Sequence, residues 1–360
     1  MKRRIIICLL TITVTLSGCS EAMELFASED RMINSRNELY QAVGQALKEG
    51  KEEFSFETEE LGEEDFESVN LTHDGFYGSV SRYELKKISF LKKSRVTFRL
   101  EISDNYYVEQ AILCGEEIPE SREKAKKLQE ICEDILSKIE EKDASAYEKE
   151  KKIHDYLISH LSYGYPDHNT KEDSAAYTAY GALAEEMAVC NGYAQAMKLL
   201  CDLSGVECTM VTGKADGEEH AWNQVRLDDE WYHVDPTWDD PEPDVPERIL
   251  YTYFNVSDEQ LSLNHTWDEE RFPAAEGKEY NYYQKENLFF EDYEVFREEI
   301  ADIFSDDSPK HFQVQVQDYS KDRYSNEALQ FIFGLSGANS LRFQTVGEKP
   351  YTTMYFTLSY

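Results

Sequence analysis

A thiol, an imidazole and a carboxylate stand in three short blocks of this chain. The blocks are Ala188-Val189-Cys190-Asn191-Gly192-Tyr193-Ala194, His220-Ala221-Trp222-Asn223, and Trp231-Tyr232-His233-Val234-Asp235-Pro236-Thr237-Trp238. Together these groups are the working parts of a thiol acyl-transfer site. The thiolate attacks a carbonyl, the imidazole takes and returns the proton, and the carboxylate fixes the ring's tautomer and orientation. A lone Cys or His is more often a packed core residue. Here all three come in local contexts that suit the chemistry.

Those contexts are set by the elements around them. Cys190 precedes an amphipathic run from Asn191 to Leu203, with Ala194, Met197, Leu200 and Leu203 at helical spacing and Ser204-Gly205 closing it. A cysteine at a helix N-terminus meets the positive end of the macrodipole and unpaired backbone N–H groups. Both favour thiolate and can donate to a developing oxyanion. Gly192 lets a neighbouring segment approach closely. Glu219 to Leu227 and Trp231 to Asp235 form two strands joined by a tight acidic turn at Asp228-Asp229. If Leu227 pairs with Glu230, Trp222 lies opposite Asp235, and His220 lies on the same face one diagonal away, within side-chain reach.

These blocks resemble the transglutaminase-like superfamily, in the form found in bacterial extracytoplasmic proteins. The resemblance spans about Tyr147 to Trp267. It starts at Glu150-Lys151-Lys152-Ile153-His154-Asp155-Tyr156-Leu157, passes through Ala179-Tyr180-Gly181-Ala182-Leu183, and closes with Asp235-Pro236-Thr237-Trp238-Asp239-Asp240-Pro241 and Tyr253-Phe254-Asn255-Val256-Ser257. It implies an α+β, papain-like core with the nucleophile helix packed on an antiparallel sheet. It implies Cys190 as nucleophile, His220 as general base and acid, Asp235 as orienting carboxylate, and a backbone oxyanion donor at Cys190 assisted by Tyr180. The family includes proteases, amidases, amine transferases and members without catalysis, so the resemblance leaves the substrate open. The β-sandwich domains of the vertebrate enzymes are not evident.

The N-terminus carries its own signal. Lys2-Arg3-Arg4 precedes an apolar stretch from Ile5 to Leu16, then Leu16-Ser17-Gly18-Cys19. That stretch is too short for a bilayer span and has the form of a secretory signal. Small residues directly before a cysteine resemble a bacterial lipobox, with Cys19 as the lipidated first residue of the mature chain. The plainer reading is an ordinary cleaved signal. Lipidation implies a membrane anchor and an extracytoplasmic location.

Charge narrows the partners. The chain has a formal net charge of −35. Removing residues 1–18, with three basic and no acidic side chains, takes it to about −38 (−35 − 3). Such a surface repels nucleic acid and anionic lipid, which excludes nucleic-acid binding, and draws cationic partners. Of seven cysteines, Cys8 and Cys19 belong to the signal and lipid site, leaving Cys114, Cys132, Cys190, Cys201 and Cys208. An odd set suits one reactive thiol with the others buried or paired. No CxxC or HxxxH spacing is present, so neither a metal nor another cofactor is expected. Asp239, Asp240 and Asp244 are expected in a solvated loop rather than around a cation. The acidic run from Glu57 to Asp65 is expected to be an exposed loop.

The remaining pattern divides the chain into 1–18 (signal), 19–34 (tether), 35–115 (N-terminal α+β module), 116–272 (thiol-site domain) and 273–360 (C-terminal α+β module). In the first module Ser35 and Glu38 form a capping box before Leu39, Val43, Ala46 and Leu47. Strands are expected at Phe54/Phe56, at Val96/Phe98/Leu100/Ile102 and at Tyr107/Val108/Ala111/Leu113. Long helices are expected from Ile118 to Glu140 and, capped by Ser145 and Glu148, to about Leu161. The tyrosine clusters Tyr251/Tyr253 and Tyr280/Tyr282/Tyr283 are expected to pack rather than to line a glycan or peptide groove. Two functions fit these residues. One is a membrane-tethered thiol enzyme acting on amide bonds of peptides or proteins, its acyl-thioester resolved by water or by an amine. The other is a non-catalytic module binding a wall component or a protein partner.

Overall fold

The computed structural model describes residues 12–13, 31–62, 66, 78–90, 92–139, 143–165, 175–241, 243, 248–304 and 309–360. Cys19, Asp244 and most of the signal and tether lie outside these residues. Two compact units divide at Lys126/Lys127.

The first unit is built on α1 (Arg36–Lys48), β1 (Glu53–Thr58), β2 (Val80–Phe90), β3 (Lys93–Ile102) and α2 (Asp104–Cys114). Ser35 caps α1 by accepting from the Glu38 N–H, and Glu38 reaches back to the backbone N–H of Asn34. The buried face of α1 is Leu39, Ala42, Val43, Ala46 and Leu47. The strands pair antiparallel in the order β2-β3-β1, and Ile12–Thr13 pairs with Ile88–Ser89 on the far edge of β2. Val96, Phe98, Leu100 and Ile102 all point into the core, as their alternation requires.

Two expectations fail here. Tyr107, Val108, Ala111 and Leu113 lie on α2 rather than on a strand. Ser103 accepts from the Tyr106 N–H at the start of α2, and Gly115 at φ 73° ends it, so local capping decides against the apparent alternation. Glu57, at the head of the acidic run, belongs to β1 and is buried against Lys93 at 3.2 Å. Glu59 and Glu60 are exposed as expected.

α3 (Glu123–Ile139) starts later than the periodicity suggests, because Pro119 sits in a turn closed by the Arg122 N–H. The second unit continues with α4 (Ala146–His160), α5 (Ala179–Glu185) and α6 (Cys190–Leu203). Ser145 and Glu148 form the expected reciprocal capping box at the head of α4. A five-stranded antiparallel sheet follows: β4 (Glu207–Ala215), β5 (Glu218–Leu227), β6 (Glu230–Val234), β7 (Phe254–Val256) and β8 (His265–Trp267), in the order β7-β6-β5-β4-β8. α6 packs on β4 and β5 through Ala194, Met197, Leu200 and Leu203, all buried. This is the α+β, papain-like arrangement: a helix carrying the cysteine laid across an antiparallel sheet carrying the histidine.

A second sheet lies in the same unit, where the sequence pattern suggests a separate module. It comprises β9 (Phe289–Phe290), β10 (His311–Gln317), β11 (Ser340–Val346) and β12 (Tyr351–Ser359), ordered β9-β10-β12-β11. Its own core is Phe296, Val314, Val316, Leu329, Ile332, Met354 and Phe356. Polar joints tie it to the segment leading into β7. Thr252 Oγ1 donates to Thr353 Oγ1 at 3.0 Å, and Gln313 Nε2 donates to the Ile249 carbonyl at 2.9 Å.

Candidate thiol site

The cysteine is placed by backbone rather than by its own side chain. Cys190 is the first residue of α6, half-buried, after Val189 in extended conformation with no side-chain cap. The Cys190 N–H, at the first helical position, has no intrahelical acceptor, whereas the Gly192 and Tyr193 N–H groups donate to the Val189 carbonyl at 2.8 and 3.2 Å. Behind it, the Val189 N–H donates to the Ala176 carbonyl at 3.0 Å, and Asn191 Nδ2 donates to the Tyr177 carbonyl at 2.6 Å. Gly192 permits this approach: a Cβ there would fall 2.4 Å from the Ala176 carbonyl oxygen. The helix start is thereby pinned against the segment from Ala175 to Tyr177.

The histidine and carboxylate are placed by hairpin register. Leu227 pairs with Glu230 and Asn223 with Val234, the expected register, and Asp228 takes φ 52° in the turn between. His220 Nε2 donates to Asp235 Oδ2 at 2.7 Å. Nδ1 is then the ring nitrogen left for a second partner, and the Cys190 thiol is near enough to raise the ring's affinity for a proton. Asp235 is wholly buried, and its Oδ1 accepts the backbone N–H groups of Thr237 at 3.0 Å and Trp238 at 3.2 Å.

The electrostatics follow from this packing. Burial opposes charge on His220, but the Asp235 carboxylate and the nearby Cys190 thiol outweigh it, raising the imidazole to about 10. Burial pushes Asp235 up, but the His220 and His265 rings outweigh it and hold the carboxyl well below the usual range. The buried carboxylate therefore favours the protonated form of the ring. Such a site can pass a proton from thiol to imidazole and hold the resulting charge.

His265 is the residue that the sequence reasoning overlooked. It lies on β8, wholly buried, with Nε2 3.2 Å from Asp235 Oδ2. Its signal in the sequence is weak: one histidine in a three-residue edge strand, thirty positions from its partner. Donor atoms of His220, Asp235 and His265 lie within 4.8 Å of one another, close enough to hold a metal ion. Their mutual hydrogen bonds already use those atoms, so an ion would have to displace them.

Other sequence candidates fall as follows. Tyr180 is the second residue of α5, with the Lys127 ammonium 5.5 Å from its ring centroid. Asp239 and Asp240 are buried rather than solvated: His154 Nε2 lies 3.1 Å from Asp239 Oδ2, and the Tyr193 hydroxyl donates to Asp240 Oδ2 at 2.6 Å. Burial raises Asp239 to about 6 against the opposing pull of His154. His233 is structural, accepting from Trp222 Nε1 at 2.9 Å and donating to Asp258 Oδ1 at 2.8 Å. Among the described residues all five cysteines are free thiols, and Cys132, Cys201 and Cys208 are buried. Burial pushes Cys132 up to about 12. Tyr283 is buried, and Tyr251 stacks on Tyr282 with centroids 3.8 Å apart, so these three pack as expected, whereas Tyr253 also lines the cavity beside His220.

A cavity of about 620 Å³ opens beside His220. Trp238, Tyr253 and Asn264 line it, as do Val346, Gly347 and Glu348 between β11 and β12, so the second sheet supplies part of its wall. Asp216, Glu218, Glu219, Asp240 and Glu348 face it, and among the described residues that line it none is Lys or Arg.

Residues 133–236, which contain the thiol, the imidazole and the carboxylate, match the family model described as the transglutaminase-like superfamily. The chain carries a transglutaminase-like domain. Members of that superfamily are generally cysteine-dependent enzymes. The kyphoscoliosis peptidase of Mus musculus is 28% identical over 123 residues, and that of Homo sapiens 29% identical over 123 residues. Each match covers 31% of this chain and 18% of the relative, so the chain spans less than a fifth of the length of these curated relatives. A solved structure described as a TGase is 16% identical, covers 66% of this chain and 61% of its own, and has a TM-score of 0.28.

Proposed function

We propose that this protein is a thiol-dependent acyl-transfer enzyme acting on amide bonds of peptides or proteins outside the cytoplasm. The observation that carries the reading is a buried imidazole–carboxylate pair beside a helix-start thiol: His220 Nε2 meets Asp235 at 2.7 Å, and Cys190, at the start of α6, is near enough to raise the ring's affinity for a proton.

The proposed sequence has two halves. Cys190 gives its proton to His220, and the thiolate attacks the amide carbonyl to form a tetrahedral oxyanion. The first-turn N–H of Cys190 donates to that oxyanion, with the Tyr180 hydroxyl as the proposed second donor. His220 returns the proton to the departing amine, the C–N bond breaks, and an acyl-thioester remains. Water, deprotonated by His220, releases the acid and restores the thiol. An amine in place of water gives transfer. Hydrolysis is favoured because water is always present, and the peptidase name of the curated relatives supports it. The acidic cavity wall favours substrates that bring positive charge.

The test is the reactivity of Cys190. Iodoacetamide near pH 6, with peptide mapping, is expected to label Cys190 ahead of the exposed Cys114. Preferential labelling of Cys114 would sink the reading.

The anchor is a separate part of the proposal. No helix among the described residues is long and apolar enough to cross a membrane, and the lipobox-like Leu16-Ser17-Gly18-Cys19 supports attachment through a lipid instead. Expressed in a bacterial host, the wild type is expected in the membrane fraction and Cys19→Ala in the soluble one. Equal partitioning of the two would remove the anchor and leave the enzyme reading intact.

A further inference from the structure

Oδ2 of Asp235 carries two imidazoles, although the proposed reaction uses one. His220 Nε2 lies 2.7 Å from it and His265 Nε2 3.2 Å. With the Thr237 and Trp238 N–H groups on Oδ1, the buried carboxylate meets four donors. A carboxylate so held has no freedom to rotate, and neither has the ring hydrogen-bonded to it.

His265 is itself fixed from three sides. Its ring centroid lies 4.6 Å from Trp238, 5.1 Å from Trp222 and 5.6 Å from Tyr253. Asn264 sets its tautomer: Oδ1 lies 2.6 Å from His265 Nδ1, while Nδ2 donates to the Tyr253 hydroxyl at 2.7 Å. Asp235 Oδ2 is a carboxylate oxygen and can only accept, so Nε2 is the donor of this pair. With the amide turned over, Nδ1 accepts and Nε2 alone carries the proton. Either way an N–H points at Asp235.

Two structural details admit this second ring. β8 pairs with the end of β4, His265 against Ala215 and Trp267 against Gly213. Gly213 also pairs with His220. A Cβ on Gly213 would fall 2.1 Å from the Thr266 carbonyl oxygen and 2.9 Å from the Trp222 ring, so only glycine lets the edge strand close on the hairpin.

We propose that His265 is a positioning residue of this reaction: a second imidazole that holds Oδ2 of Asp235 and thereby fixes the plane and proton affinity of the His220 ring. The proposal rests on the reading of Cys190, His220 and Asp235 given above. Removing its N–H leaves Oδ2 with His220 as its one remaining donor. The carboxylate then gains freedom, which weakens orientation, and concentrates its charge on His220, which raises that ring's affinity for a proton. Other titratable groups facing the pair are Cys190, Tyr253, His233 and Asp239, with Glu218, Glu219 and Asp240 across the cavity.

The experiment compares wild type, His265→Phe and His265→Gln in the full chain. Two readouts are used: the rate of iodoacetamide labelling at Cys190, and the midpoint of the His220 titration followed by NMR of ¹³C-labelled histidine. His265→Phe keeps the ring's bulk without a donor; Gln restores an N–H. Phe is expected to slow labelling about tenfold, as loss of an outer partner does for other histidine sites, and to move the His220 midpoint up by about 1 pH unit. Gln is expected to return both toward wild type. If wild-type Cys190 labels no faster than Cys114, the parent reading has failed. If wild type labels fast and a cooperatively melting Phe variant matches it in rate and midpoint, the His265 proposal alone has failed. Should the Phe variant not melt cooperatively, Asn264→Ala decides. It leaves the ring in place but frees its tautomer, and an unchanged rate and midpoint there overturn the proposal.

Discussion

Cys190→Ala is expected to keep the fold and to lose acyl transfer by a factor of about 10⁴ or more. The fold survives because the side chain carries little of it. Cys190 caps nothing, is half-buried, and follows a Val189 whose backbone holds the helix start in place. Activity does not survive because the acyl-thioester needs a sulfur, and the first-turn N–H groups have no oxyanion to stabilise without it. The substitution also reaches His220. Its affinity for a proton comes from Asp235 first and Cys190 second, so the imidazole midpoint is expected to fall below the value of about 10 held in the wild type. Two measurements check this: intact-mass detection of an acyl adduct with a panel of peptides, and the His220 titration. Undiminished turnover in the Ala variant would remove Cys190 from the chemistry. A fixed His220 midpoint would show that the sulfur and ring are not in contact in solution.

What could be read from the sequence was what local rules determine. The Asp228-Asp229 turn sets the register of β5 and β6, and register alone carries His220 to Asp235. The apolar stripe from Ala194 to Leu203 similarly marks which face of α6 is buried, and Gly192 marks a close approach, which the structure shows to be by Ala176. His265 escaped because no turn links β8 to the hairpin. Its pairing with Ala215 on β4 is a long-range choice made by the Gly213 gap and the aromatic rings around it. The cavity wall at Val346, Gly347 and Glu348 escaped for the same reason: nothing local says where a distant hairpin will lie. The burial of Asp239 and Asp240 departs from the expected solvated loop because composition shows acidity but not the partners that compensate it, His154 and Tyr193. The departure at α2 is different in kind: Ser103 and Gly115 are local helix boundaries, and their capping outweighs the strand-like spacing of the apolar residues between them.

Asp235→Asn is the second large effect, and it separates charge from shape. The amide is nearly isosteric, so its oxygen can still accept from the Thr237 and Trp238 N–H groups, now held at 3.0 and 3.2 Å. Its NH₂ then faces the His220 and His265 nitrogens as a donor where they too are donors. One of those rings must give up its proton and accept instead, the wrong tautomer for His220. Turnover, or the rate of Cys190 labelling as its substitute, is expected to fall by about 10²–10⁴. The pH dependence of stability should change as well. In the wild type His220 is raised to about 10, so its contribution is complete below an unfolded value of about 6.5 and fades as pH rises through about 10. Asp235 is depressed, so its contribution is present above an unfolded value of about 3.9 and fades as pH falls toward the folded one. The Asn variant has neither carboxylate nor raised imidazole. Its melting temperature is therefore expected to be lower than wild type at pH 7 and to vary less between pH 7 and 10, where the wild type loses the His220 contribution. Melting curves across that range decide the matter: parallel pH profiles for the two proteins would mean that the Asp235 charge does not hold the His220 proton, and the electrostatic half of the proposed mechanism would fall with it.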